Sequence, residues 1–335
     1  MELDVLNYER VLSQIRPSGA NNRSFFIRHF NDVYNIESSE DDDIAGGLSR
    51  FVNALELLSL KFKGITVFSG DILSPSTIST MTKGQQMIDS IPMMSIDVAC
   101  VGNHDFDFGI ERLEDLVKAN PRTSWLLSNL KNYETGDSLS FLKESLIQNI
   151  HGITVAFIAV VESEWIDTLG AVDRDDFLYI DFIEHSRNLA ESLRSQGAEI
   201  IIAVTHMRLS NDQLLFNSVK SIDIILGGHD HVYYLEDDVD GRILIKSGTD
   251  FRDLSLIQVD MTDGTLRFNI DHIRITRDIP ENVKCKELVD SFKCSMESAM
   301  ERNLGNMEVE LDGRFEIIRT QESNLGICRW IDFLS

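Results

Sequence analysis

Long apolar runs are missing from this sequence. No stretch approaches the roughly 18 consecutive apolar residues of a membrane span, and the first 24 residues contain no apolar core of a secretory signal. A cytoplasmic protein without a membrane partner is therefore expected. Cysteine is scarce. Cys100, Cys285, Cys294 and Cys328 are the only four, and none is spaced as a zinc motif. Cys100 lies in an apolar strand pattern and is expected to be buried and inert. Positive charge is also short: 31 Lys and Arg stand against 55 Asp and Glu, for a net charge of −24. That balance argues against nucleic acid and anionic membranes as partners. It also disfavours a phosphate substrate at long range, unless bound cations reverse the local field. Internal repeats and low-complexity linkers are absent.

What is present is enough apolar material, 43% of 335 residues, for a sizeable core in two domains or in one large domain with an appendage. Residues 24–30, 65–68, 96–101, 125–127, 153–161, 200–204 and 223–226 read as strands. Helical patterns fall between them: Leu48, Phe51, Leu55 and Leu58 recur at helical spacing after Gly46 and Gly47, and further helices are expected over 110–119, 184–196 and 212–220. Strands alternating with helices mean βαβ units and a largely parallel sheet, hence an α/β fold. After residue 240 the texture changes. Segments 243–246, 255–260 and 267–275 read as consecutive strands with a tight turn at Asp263-Gly264, and 284–302 reads as a helix. The acidic segment 37–43 is a solvated loop.

Five strand-like runs end in polar residues of a matching kind: Asp32-Val33-Tyr34, Gly70-Asp71, Gly102-Asn103-His104-Asp105, Thr205-His206 and Gly228-His229-Asp230-His231. Alone, each is an ordinary turn or a surface histidine. As an ordered set at strand ends they describe a site at one edge of an α/β sheet. Carboxylate, amide oxygen and imidazole together suit a divalent metal of hard to intermediate character. Asp71, at a tight turn, is the natural bridging carboxylate between two ions. Asp32 and His231 then serve one ion, and Asn103, His206 and His229 the other. The spacing of His229 and His231 sends both rings to one side of an extended segment, so they can divide between ions about 3.5–4 Å apart. A hydroxide held between such ions attacks a phosphoryl group in line, and the ions neutralise the charge that develops. His104 needs no metal of its own and is placed to protonate the leaving oxygen. Asp105 or Asp107 can orient its ring and keep it cationic.

These residues resemble the calcineurin-like metallophosphoesterase superfamily, and within it the 5′-nucleotidase branch, which includes 2′,3′-cyclic-nucleotide phosphodiesterases. The resemblance rests on Phe30-Asn31-Asp32-Val33, Ser69-Gly70-Asp71, the block from Val101 to Gly109, Thr205-His206 and Gly227-Gly228-His229-Asp230-His231, and runs from about residue 25 to 327. It implies a four-layer α/β/β/α sandwich with two mixed sheets. It further implies two divalent ions (manganese, zinc or similar), with Asp71 bridging and a catalytic dyad of His104 and Asp107. The implied activity is that of a phosphoric ester hydrolase of 5′-nucleotidase type, acting on a small phosphate ester such as a nucleotide. The alternatives are a cyclic-nucleotide phosphodiesterase and a nearly inactive binding protein of the same fold. The implied organisation is an extension over 1–24, a catalytic domain over 25–280, and a linker helix with the start of a C-terminal domain over 281–335.

Two departures stand out. The branch pattern Asp-x-His after the first strand is here Asp32-Val33-Tyr34. Tyr34 either binds a metal directly, iron most readily, or holds a water in the coordination position. Secondly, residues 319–326 resemble the entrance to the branch's C-terminal domain, and the sequence stops nine residues after Gly326. Arg208, two residues past His206, can reach a substrate phosphate or pair with an acid such as Asp212.

Overall fold

The computed structural model describes residues 23–39 and 43–301. The chain opens with β1 (Arg23–Phe30), α1 (Leu48–Lys61) and β2 (Gly64–Ser69), then the short helices α2 (Thr77–Thr82) and α3 (Gln85–Ser90). β3 (Val98–Cys100), α4 (Ile110–Ala119), β4 (Ser124–Leu126), β5 (Leu130–Asn132), β6 (Ser145–Ile150) and β7 (Ile153–Val161) follow. The second half runs β8 (Phe177–Tyr179), α5 (Phe182–Ser195), β9 (Ile200–His206), α6 (Leu209–Ser218), β10 (Ile224–Gly227), β11 (Tyr233–Asp237), β12 (Ile243–Ser247), β13 (Asp253–Thr262), β14 (Thr265–Arg274) and α7 (Val283–Met300).

Two six-stranded mixed sheets result, ordered β14-β13-β1-β2-β3-β4 and β11-β12-β10-β9-β7-β6, with β5 and β8 as a separate pair. In the first sheet β1 to β4 are parallel and β13 and β14 antiparallel. In the second, β12, β10, β9 and β7 are parallel, and β11 and β6 form antiparallel edges. Strands β3, β9 and β10 are buried along their whole length. This is why they read as unbroken apolar runs rather than as alternations.

β1 shows how the layers stack. Its side chains alternate faces. Phe30 packs on Phe51 of α1, with ring centroids 4.8 Å apart. His29 points the other way, into the layer between the sheets, and meets Ser69 Oγ at 2.8 Å and Ser247 Oγ at 2.7 Å. Ser69 Oγ in turn donates to Leu226 O of the other sheet at 2.8 Å. Outside the second sheet, Ala190 and Leu193 of α5 and Leu215 and Phe216 of α6 bury Ala156, Ile158, Val160, Ile201 and Ala203. The layers are helix, sheet, sheet, helix, as the resemblance implies.

Several elements escape the sequence pattern. β6 and β11 are edge strands with mixed exposure and no clean alternation. α2 and α3, six residues each, are too short for a helical period to register. The described chain up to Cys294 forms one compact unit, and a second begins at Ser295. The expected extension lies almost entirely outside the described residues, as do Cys328 and the segment 319–326. Cys100 is fully buried.

Candidate metal centre

The parallel strands of both sheets bring their carboxyl ends to one edge. There Asp32 follows β1, Asp71 follows β2, Asn103 follows β3, His206 ends β9 and His229 follows β10. Asp32, Asp71, His229 and His231 all adopt left-handed backbone, with φ of 51°, 67°, 81° and 58°. Side chains are strained there, and such residues gather where a site over-determines them. The close approach of the loops demands two glycines. A Cβ on Gly102 would meet Asp71 Oδ1 at 2.2 Å, and one on Gly228 would meet Ser69 O at 2.4 Å.

Asp71, His206 and His229 bring one potential ligand atom each to within 4.8 Å of one another. His104 N donates to Asp71 Oδ1 at 2.8 Å, so the carboxylate is oriented from one side. Its Oδ2 lies 3.1 Å from His206 Nε2. His206 Nδ1 donates to Ser69 O at 2.7 Å. A backbone carbonyl on the far nitrogen is the usual arrangement for a metal-binding imidazole. Asn103 Oδ1 is buried with no hydrogen-bond partner. Burial alone disfavours charge on His206, but Asp71 and Asp32 outweigh it and raise its pKa to about 10. Burial and the nearby His206 push His229 down, toward the neutral form that binds metals. A buried carboxylate, an unpartnered amide oxygen, a carbonyl-backed imidazole and a second imidazole beside it fit a divalent ion at this position.

The residues expected around a second ion are arranged differently. Tyr34 Oη lies 2.9 Å from Asp32 Oδ1, 3.1 Å from Asp71 Oδ2 and 2.9 Å from His231 Nε2. Asp32 Oδ2 accepts from Asn31 Nδ2 and from His229 N, both at 2.7 Å. Burial and the two carboxylates push the Tyr34 phenol far above its ordinary value, which keeps it protonated. This half of the site does not fit a second ion beside the hydroxyl.

His104 stands next to the cluster. Its Nδ1 lies 2.7 Å from Asp107 Oδ2, and the Asp107 carboxylate raises its pKa above the ordinary histidine value despite partial burial. Asp105 serves otherwise. It accepts from the backbone nitrogens of Gly102, Asp71, Ile72 and Leu73 at 2.9, 3.1, 2.8 and 3.2 Å, clasping the loops after β2 and β3 together. Of the two aspartates open from the sequence, Asp107 is the one that touches His104.

Asp212 N donates to Arg208 O at 3.0 Å, but the Arg208 side chain pairs with another acid. Arg208 Nε is 3.4 Å from Glu162 Oε1 and the Arg208 backbone N donates to Glu162 Oε2 at 2.8 Å, while Asp212 pairs with Lys246 Nζ at 2.7 Å. Glu162, Asp212 and Lys246 escape the sequence reading as site residues. Glu162 is fully buried at the end of β7, with Oε1 3.7 Å from His229 Nε2. A signal for it exists: an acid directly after an apolar strand, like Asp32 and Asp71. Lys246 Nζ also reaches Met207 O and Asp230 Oδ2, both at 2.7 Å, beneath the loop that carries both histidines.

Residues 27–233 match the Calcineurin-like phosphoesterase family. The chain belongs to that family. Relatives of this chain include the snake venom 5′-nucleotidase of Crotalus adamanteus, 24% identical over 344 aligned positions that cover 90% of this chain and 57% of the venom protein. The trifunctional nucleotide phosphoesterase YfkN of Bacillus subtilis is also 24% identical, over 90% of this chain and 23% of its own length. Among solved structures, the 5′-nucleotidase precursor from Thermus thermophilus superposes with a TM-score of 0.74 at 18% identity, over 90% of this chain and 65% of that one. The chain thus spans little over half of the venom relative. Divalent ions are the family's cofactors. Among the described residues, no helix is long and apolar enough to cross a membrane.

Proposed function

We propose that this chain is a metal-dependent phosphoric ester hydrolase of 5′-nucleotidase type, acting on small phosphate monoesters and on nucleotides in particular. The observation that carries this reading is the His104–Asp107 pair, 2.7 Å apart, beside the Asp71, His206 and His229 cluster. The nucleotidase relatives supply the substrate class. The catalytic unit is proposed as 25–280, since β1 to β14 complete both sheets, with 281–335 a linker helix and the start of a further domain.

Asp71, Asn103, His206 and His229 would hold the ion, with manganese or zinc suiting that set of oxygens and imidazoles. When bound, a divalent ion supplies Lewis-acid polarisation of the phosphoryl oxygens and an acidified water. The chain's own residues do the rest. Asp107 holds the His104 ring through Nδ1, which turns Nε2 outward. The carboxylate also keeps the ring cationic, so Nε2–H can protonate the departing oxygen of the ester. The His104 side chain is 36% exposed, within reach of a substrate. Asp105 keeps the Asn103–His104 loop on the Asp71 loop, so acid and ligands share one frame. Arg208, half exposed beside Glu162, can turn its remaining guanidinium nitrogens to a phosphate.

The test is hydrolysis of an alkyl phosphate monoester, whose alkoxide must be protonated to leave, and of the matching diester, with and without manganese, by the wild type and by His104→Ala. Metal-stimulated monoester turnover lost in the variant supports the reading. Preference for the diester would favour the phosphodiesterase alternative. Equal turnover by both proteins would remove His104 from the mechanism.

A further inference from the structure

Three groups that a two-ion centre would use together, Asp32, His231 and the shared Asp71, converge on an oxygen of the protein itself. Tyr34 Oη meets them at 2.9, 2.9 and 3.1 Å. Metal ions sit about 2.0–2.2 Å from oxygen and nitrogen ligands, so an ion drawing on these three groups would have to occupy the space the hydroxyl now fills. One hydroxyl offers one donor and two acceptor sites, enough to satisfy a carboxylate and an imidazole N–H without any ion.

The tyrosine is fixed in place. It is 5% exposed. Its ring lies 5.3 Å from the His231 ring and 6.2 Å from the His104 ring, and its backbone N donates to Asp250 Oδ1 at 3.1 Å. Asp32 has little capacity left, because its second oxygen already accepts from Asn31 Nδ2 and His229 N. The other half of the site differs: Asp71, His206 and His229 keep their ligand atoms together, and Asn103 Oδ1 has no partner.

We propose that the Tyr34 hydroxyl takes the place of one metal ion, so that the centre binds a single divalent ion through Asp71, Asn103, His206 and His229. Asp32, His231 and Tyr34 form a metal-free hydrogen-bonded wall of that site. This inference rests on the metal-dependent reading above and narrows it. It also makes Tyr34 the residue that sets stoichiometry: an imidazole there would supply a lone pair where the phenol supplies a filled space.

The experiment is metal counting on the whole chain. Wild type, Tyr34→His and His231→Ala are equilibrated with manganese, freed of loose ions, and measured by inductively coupled plasma mass spectrometry, with Mn(II) EPR on the same samples. One ion per chain is expected for wild type, with no exchange coupling in the EPR spectrum. Two coupled ions are expected for Tyr34→His. His231→Ala, altered at a half-exposed side chain, is expected to keep its single ion, and this arm stands if Tyr34→His does not fold. Two ions in wild type, one ion in folded Tyr34→His, or loss of the ion from His231→Ala each overturns the inference. So does tyrosinate-to-iron absorption in the iron-loaded wild type, because the oxygen would then be a ligand. No ion in wild type overturns the metal-dependent function as well, which separates the two failures.

Discussion

His104 and His29 sit in the same fold and answer to opposite influences. His104, held by Asp107, is raised in pKa and is the proposed acid. Removing a positioned general acid typically costs about 10²–10⁴-fold in rate, so His104→Ala is expected to lose that much kcat on a phosphate monoester with a poor leaving group. A nitrophenyl ester, whose phenolate leaves unaided, should lose less, and steady-state kinetics on the two substrates checks this. His29 lies in the inter-sheet layer, where burial pushes it down to about 3. The unfolded chain protonates this imidazole near its ordinary 6.5, while the folded chain does so only near 3. Between those values the unfolded state binds the extra proton. Stability is therefore full above about 6.5 and is lost as pH falls through the window, up to about 4–5 kcal/mol at its lower end. Thermal melts from pH 7 to pH 4 should fall more steeply for the wild type than for His29→Gln. Equal slopes would show that His29 is not held neutral. The polar residues at the strand ends, His104 among them, were legible at this scale because each follows an apolar run in the sequence. The choice between Asp105 and Asp107 was not, since both lie within reach in sequence and only the turn at 103–106 turns one inward and the other toward the ring.

Strand-end loops are the elements that hold the site, and two of them carry predictions. Gly102 lies where a methyl group would strike Asp71 Oδ1 at 2.2 Å and Asp71 N at 2.7 Å. Overpacking of this kind costs about 1–3 kcal/mol, and here the displaced atoms belong to Asp71, a proposed metal ligand. Gly102→Ala is expected to fold with a lowered Tm and to bind manganese weakly. Calorimetric titration should show that loss, and unchanged affinity would mean the loop relaxes without moving Asp71. Lys246, on β12, has a side chain 1% exposed and pairs with Asp212, which is fully buried. Removing one partner of a buried pair costs about 3–5 kcal/mol because the other charge is stranded. Lys246→Met should show this in urea unfolding, while the double variant with Asp212→Leu should recover part of it. Central strands were readable from the sequence because burial on both faces leaves an apolar run. The edge strands β6 and β11 were not, because each is only partly buried and its hydrogen bonds come from one neighbour.

At the scale of the whole molecule, an ion that binds the folded chain alone must stabilise it. A free concentration a hundredfold above Kd adds about 2.7 kcal/mol. Chelator-treated protein is therefore expected to melt several degrees lower and to recover on adding manganese, with the shift absent in His206→Ala. A Tm indifferent to metal would argue that the cluster holds none. The sequence by itself determined the family, the alternation of strands and helices, and the kinds of residue at each strand end, because those follow from local chain chemistry and short spacing. Only the tertiary structure decided where the Tyr34 hydroxyl lands, that Glu162 backs Arg208 and approaches His229, and that Lys246 supports the histidine loop. Tyr34 and His231 are 197 residues apart, and their 2.9 Å contact exists only because two sheets pack face to face with their carboxyl ends aligned. No local pattern encodes that distance; it is a property of how the two sheets bury their shared face.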